Sequence, residues 1–407
     1  MKISLTLKFS ANAVLVRRGR SQMLCISRSS MQPILAEKAQ VIFSVLLSSK
    51  KKVGVSVVFE KFMVTERGRL ENPDNLMLTP HDFAFPSLMS TLAIFMGLPV
   101  RTRVSEGHGI QWLDIRDHYT QVGISAEGFG MMYGLPHGVL RDSRFGSAPV
   151  MDCFAFLGLP CRLYADSSVA VKDRELNKPQ DFIDIITDHI TKNLPAAVLT
   201  NEAMQILVTG YENYGKTLRG WVFSDGADNT NKSFHYDLCQ LIDNWTDTAF
   251  AVITAGEPHR TCNKKDILSR ALKRGYDMLT EENKSEYGKK IYKDWSDAMN
   301  DDSKFSGSIS ERPYIDPHIW DLAERRAWTS NFLRDVKSVI PDAELAGAIE
   351  AFDGIHDKMW TINSLCSGND CIRLKDRGVR LQIVDIIKEC ARLDLKAAEC
   401  IKNASIF

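Results

Sequence analysis

What the 407-residue sequence lacks narrows its chemistry before anything present is considered. It has no GxxxxGK followed by Ser or Thr, no HExxH, no GxSxG and no EF-hand loop, so nucleotide hydrolysis, zinc proteolysis and a serine-hydrolase elbow lose their usual signatures. Nine cysteines stand at positions 25, 153, 161, 239, 262, 366, 371, 390 and 400, and no two form a CxxC pair, which argues against a zinc ribbon. An odd, scattered set reads as reduced thiols serving as small hydrophobes in a cytoplasmic protein. No two histidines fall at i, i+3 or i+4 on a helix, so neither a metal nor another cofactor is expected. No apolar run approaches the ~18 residues needed to cross a bilayer, so the expectation is a soluble protein with no membrane partner.

Net charge is missing too, with 51 basic and 51 acidic side chains. The balance is uneven, because residues 1–75 hold 13 Lys or Arg against five acids, so any basic surface lies at the start. The first acidic residue is Glu37, and the Arg- and Ser-rich stretch before it superficially suits a transit peptide. Lys8 interrupts its apolar core and no cleavage site stands out, so a poorly ordered tail is expected instead. Spacing predicts a helix over 32–47, and Val53, Val55, Val57 and Phe59 alternate as in a strand. With no recognition-type helix following, this reads as a small extension rather than a winged DNA-binding module.

A boundary is expected near Pro73, followed by an α+β domain over 76–260 and an all-α helical bundle over 261–407. Pro86 to Gly97 is helical in spacing, with Gly97 as the stop. Dense glycines from Gly107 to Gly138 predict a loop-rich stretch. Helices are expected over 148–157 and 179–192. Strands are expected over 196–199, 206–211, 217–223 and 250–254, with Glu212-Asn213-Tyr214-Gly215 as a hairpin turn in an antiparallel sheet. Beyond Asn263 the period becomes helical, with stripes such as Leu345, Ile349, Phe352, Ile355, Met359 and Ile362 building about five helices.

Three segments in order carry a resemblance. Ala84-Phe-Pro86-Ser-Leu-Met-Ser-Thr-Leu-Ala-Ile-Phe-Met-Gly97 resembles the CGP-led first helix of papain-fold peptidases of the bacteriocin-processing type. Met204-Gln-Ile-Leu-Val-Thr-Gly210-Tyr211 resembles their histidine strand, and Thr217 to Asp225 the next strand, which ends in the triad Asp. Gly123-Ile-Ser-Ala-Glu-Gly-Phe129, Gly220-Trp221 and Trp320-Asp-Leu-Ala-Glu-Arg-Arg-Ala-Trp-Thr-Ser-Asn-Phe-Leu333 are similar to a loop, a strand and a C-terminal helix of a bacterial group typified by butirosin-biosynthesis protein H. The resemblance spans about three quarters of the chain. It implies a cysteine-peptidase-like domain with an antiparallel sheet ahead of helices, and for that protein an acyl transfer from a carrier protein to an aminoglycoside amine.

The same resemblance places Ala84 at the nucleophile position and Met204 at the base position, leaving Asp225 alone of the triad. A thiol nucleophile needs an imidazole to take its proton, so the usual peptidase chemistry is excluded and a pseudoenzyme is expected. His81 and Asp82 just before the first helix, with Glu127, Glu202 and Asp225, are the remaining candidates for a carboxylate-rich site, set against the plainer reading of caps and solvated charges. Cys153 and Cys161 read as packing residues, and His108, His118 and His235 as surface or core filler. Three functions stay open: a non-catalytic domain binding a small molecule or peptide, with the bundle as lid or homo-oligomer surface; an acyl- or amide-transfer enzyme using His81, Asp82 or Glu127; and a DNA-binding regulator, with nucleic acid the least favoured partner.

Overall fold

The computed structural model describes residues 5–10, 13–18, 22–27, 55–68, 70, 77–78, 83–107, 110–130, 145–201, 204–224, 239–259, 263–284, 287–306, 316–366 and 372–404. At the start, strands β1 (Leu5–Ser10), β2 (Ala13–Arg18), β3 (Gln22–Ser27) and β4 (Val55–Phe59) form a sheet of order β3-β2-β1-β4. The expected tail therefore forms strands over 5–10, 13–18 and 22–27. The signal was present in Leu5-Thr-Leu-Lys-Phe-Ser10, where apolar and polar residues alternate strictly. The helix expected over 32–47 lies outside the described residues.

Strand β5 (Phe62–Met63) joins the main sheet, and β6 (Met77–Leu78) precedes helix α1 (Ala84–Phe95), all of whose residues are buried. Gly97, at φ +67°, ends α1 in the left-handed conformation that glycine adopts without a Cβ clash. The expected loop-rich stretch is more regular than its glycines imply. Strands β7 (Thr102–Gly107) and β8 (Ile110–Ile115) make a hairpin, and α2 (Arg116–Ile124) follows directly. Gly123 lies inside α2 without ending it.

Helix α3 (Ala148–Phe156), strands β9 (Cys161–Ala165) and β10 (Arg174–Glu175), and helix α4 (Pro179–Ile190) lead into β11 (Ala196–Thr200), β12 (Met204–Glu212), β13 (Thr217–Ser224), β14 (Gln240–Asp243) and β15 (Ala249–Ala255). These strands lie in the order β10-β9-β15-β11-β12-β13-β14, with β5 also pairing β12, giving a mixed eight-stranded sheet. All its pairings are antiparallel except the two-residue contact of β9 with β10. The β12–β13 turn is the expected one, with Asn213 and Tyr214 at φ +50° and +57° ahead of Gly215.

Five helices complete the described chain: α5 (Lys264–Thr280), α6 (Lys289–Asn300), α7 (Asp316–Val339), α8 (Glu344–Leu365) and α9 (Arg377–Asn403). Asn263 caps α5 by accepting from the Asp266 amide. Among the described residues no helix is long and apolar enough to cross a membrane. The apolar core is continuous from α1 and the sheet into α5 to α9, so it runs across residue 260 rather than dividing there.

Helix α7 joins the bundle to the rest through one stripe. Thr329 lies where a Cβ on Gly128 would come within 2.2 Å of its Oγ1, and a Cβ on Gly123 would come within 2.1 Å of the Phe332 ring. Further along, Asp335 accepts from Thr120 at 3.0 Å and pairs with Arg116 at 2.8 Å and Arg101 at 3.1 Å. Positions 329, 332 and 335 share a helical face, so α7 runs antiparallel along α2 at glycine-permitted distance. Gly123→Ala should force the Phe332 ring aside and cost about 1–3 kcal/mol, read as a lower urea midpoint with an unchanged slope.

Candidate functional site

Of the seven residues singled out from the sequence, His81, Asp82, Glu202 and Asp225 lie outside the described residues. Ala84 is the first residue of α1 and 0% exposed, and Phe83 before it is equally sealed. Phe83 carries the Arg325 guanidinium 4.9 Å above its ring and has His118 beside it at 6.4 Å between centroids. Trp328 closes the group, 5.5 Å from His118 and 4.5 Å from Tyr119. The α1 start therefore lies in a buried aromatic box built by α2 and α7. His118 was read as filler, and a buried place among aromatic rings agrees with a core histidine.

Met204 begins β12 and is half-buried, with Ser224 as its cross-strand partner. Its side chain is on the wrong face for the role that the resemblance gave it. Trp221 packs on Phe95 of α1, 5.9 Å between centroids, and pairs with Leu207. Cross-strand partners share a face and alternate residues return to it, so Phe223, Leu207 and Gln205 face α1 while Met204 faces away. The register is regular from Met204 to Val208, the bulge coming only after Val208. The residue that β12 presents to α1 at this end is thus Gln205, one position on. A reading by linear spacing misses this because a one-residue offset in a strand exchanges the faces.

Gln205 is 0% exposed, and neither atom of its amide has a hydrogen-bond partner among the described residues; the same holds for Gln121 on α2. An unpaired buried amide costs on the order of 1–3 kcal/mol. Nothing in composition or motif marked either residue. Their signal exists only in three dimensions, as polar groups on faces the fold covers.

Glu127 is a candidate for the carboxylate-rich site, against the plainer reading of a solvated charge. It is instead 0% exposed, in a short 3-10 turn over Glu127–Phe129. The turn follows Ala126, a non-glycine residue at φ +70°. Such a residue persists only where its surroundings fix it, and two adjacent arginines of α7 do so. Arg325 donates to the Glu127 carbonyl at 2.6 Å, and Arg326 to the carbonyls of Gly128 at 2.7 Å and Gly130 at 3.0 Å. Arg326 also makes a two-pronged pair with Asp394 of α9 at 2.8 and 2.6 Å, and Asp394 accepts from the Tyr292 hydroxyl at 2.5 Å. Burial works to lower the Arg326 pKa, but Asp394 and Tyr292 outweigh it and the guanidinium is held more firmly protonated than usual. The Gly123–Phe129 and Trp320–Leu333 segments are the two halves of this contact. No protein-family model matches the chain, and no curated protein matches it.

A second clamp sits beside the turn. Asp152 of α3 accepts from Arg270 at 2.5 Å and Arg274 at 2.7 Å, and Arg274 also donates to the Ile124 carbonyl at 3.0 Å. An open depression of about 610 Å³ adjoins it, between the start of α3 and α5. Arg270 and Arg274 in its wall are already engaged by Asp152, and Asp277, Glu281 and Glu282 face them, so its charges are mixed. Among the described residues no cluster of His, Cys, Asp and Glu has the arrangement of a metal site.

Cys153 lies 3.9 Å from the Gln121 carbonyl and is fully buried. Burial pushes its thiol well above the ordinary range, against the opposing charge of Arg274. Burial also pushes the Cys161 thiol up to about 12, with Asp173 adding to the shift. Neither has the low pKa of a nucleophile. With a shift from 9.0 to about 12, Cys161 should react with iodoacetamide at pH 7.5 roughly 100- to 1000-fold more slowly than an ordinary exposed thiol. Cys153 should label only on unfolding. Mass-spectrometric time courses check both, and fast labelling of either near neutrality contradicts this account.

Proposed function

We propose that the chain is a papain-like binding module, with its peptidase chemistry replaced, that holds a small molecule or peptide on the α1 side of its sheet. The observation that supports this reading is that β12 turns the polar, non-basic Gln205 toward α1, the helix that begins with Ala84. An alanine supplies no nucleophile, and a carboxamide has no proton affinity near neutral pH with which to act as general base. What remains in the triad's place recognises rather than reacts. The bundle on this reading is a fixed wall. Swinging it away as a lid would break the hydrogen bonds of Arg325 and Arg326 to the turn carbonyls and uncover the apolar surface that Phe332 and Trp328 bury.

The acyl- or amide-transfer alternative rests on the buried Glu127 carboxyl as acid or base. The DNA-binding alternative rests on the basic composition of residues 1–75 and would appear as salt-dependent binding lost on their deletion. One experiment divides binding from catalysis. The parent protein should not consume an N-acetylcysteamine thioester or a peptide. Ala84→Cys with Gln205→His should gain fast reactivity toward a small aromatic disulfide, whereas Ala84→Cys with Met204→His should not, because position 204 faces away from α1. Turnover by the parent that Glu127→Gln abolishes would overturn the binding reading and leave the acid–base enzyme.

A further inference from the structure

We infer that Gln205 is the recognition group of this site and that its ligand carries a primary carboxamide. The inference rests on the binding-module reading and specifies its ligand class. The Gln205 amide is 0% exposed and unpaired at both its oxygen and its nitrogen among the described residues. It shares its face with Leu207, Trp221 and Phe223, of which only Trp221 carries a polar group, an indole N–H that makes no hydrogen bond to the Gln205 oxygen. Gln121 is equally unpaired but sits within α2 between the buried residues Thr120 and Val122. Gln205 lies one residue from the end of the β12–β13 ladder, whose last pair, Met204 with Ser224, is only half-buried.

The chemistry of the amide selects among ligands. Gln205 offers an N–H donor beside a carbonyl acceptor, and both stand in apolar surroundings where an unmet group is costly. A carboxylate ligand would satisfy the N–H and leave the carbonyl facing a like charge. An ammonium would satisfy the carbonyl alone. A primary carboxamide presents a donor and an acceptor on one edge and meets both in a cyclic pair. A trans peptide bond holds its N–H and C=O on opposite sides, so it makes one of these contacts at a time.

Propionamide is the probe, with propionate as the isosteric anion. In protein labelled with 15N at glutamine side chains, the Gln205 NH2 signals are identified by their loss in Gln205→Met. They should shift saturably with propionamide and not with propionate. Propionamide should raise the Tm of the parent, and affinity should fall roughly tenfold or more in Gln205→Met. That variant, having lost an unpaired amide for an apolar side chain of similar length, should melt above the parent without ligand. Equal shifts with propionate, no saturable shift with propionamide, or a Gln205→Met protein less stable than the parent would each overturn the inference, the last by showing that the amide is already paired. The titration on the parent stands even if the variant fails to fold. Thioester turnover by the parent would refute the binding reading by a separate measurement.

Discussion

The contact of α7 with α2 and the turn after it is the constraint on which the other features depend. A buried guanidinium is tolerable only if its charge and its donors are met. Arg326 meets its own on the carbonyls of Gly128 and Gly130 and on Asp394, and Arg325 donates to the Glu127 carbonyl and lies over the Phe83 ring, which together fix that backbone in a conformation Ala126 would not adopt alone. The turn then delivers Glu127 and Phe129 inward, and Phe129 packs on Phe332 and Phe352. Glycine at 123 and 128 is what lets the helix come so close.

From that contact follows the burial of α1. The same α7 residues that grip the turn put Arg325 over Phe83 and Trp328 beside His118 and Tyr119, so the helix start is covered by the bundle as well as by the sheet. The Asp152 clamp and the Asp335 cluster hold α5 and α7 at two further points. Three polar anchors spread along two helices leave little freedom for relative motion. A bundle that sequence periodicity presents as a separate domain is energetically part of the sheet domain's core.

The periodic parts of the fold were legible. The strands around 196–255, the Asn213–Gly215 turn, the Gly97 stop and the five late helices all follow from apolar spacing and from residues whose backbone preferences are strong. Two regions were misread for identifiable reasons. In residues 5–27, basic composition outweighed an alternation visible in Leu5, Leu7 and Phe9. Within the stretch from Gly107 to Gly138, glycine density reads as punctuation, although Gly123 is small because Phe332 occupies the space a side chain would need. A glycine required by packing and a glycine required by a turn look alike in one dimension.

The site was legible only to the level of its segments. Linear spacing finds the strand that begins at Met204, but the face a residue presents is set by its pairing with Trp221 and by the ring of Phe95, 110 residues and more away in the chain. The same limit applies to Glu127, whose burial depends on α7. Charge placed near a predicted turn reads as solvated unless the helix that covers it is known. Polar groups that a fold covers without pairing are where sequence reasoning has least purchase, since nothing local distinguishes Gln205 from a surface glutamine. They are also where a fold most directly records a chemical demand. Among the described residues nothing completes the hydrogen bonds of the Gln205 amide, so a methionine or leucine there would avoid the cost of an unmet polar group, and a ligand that met both its donor and its acceptor would offset it.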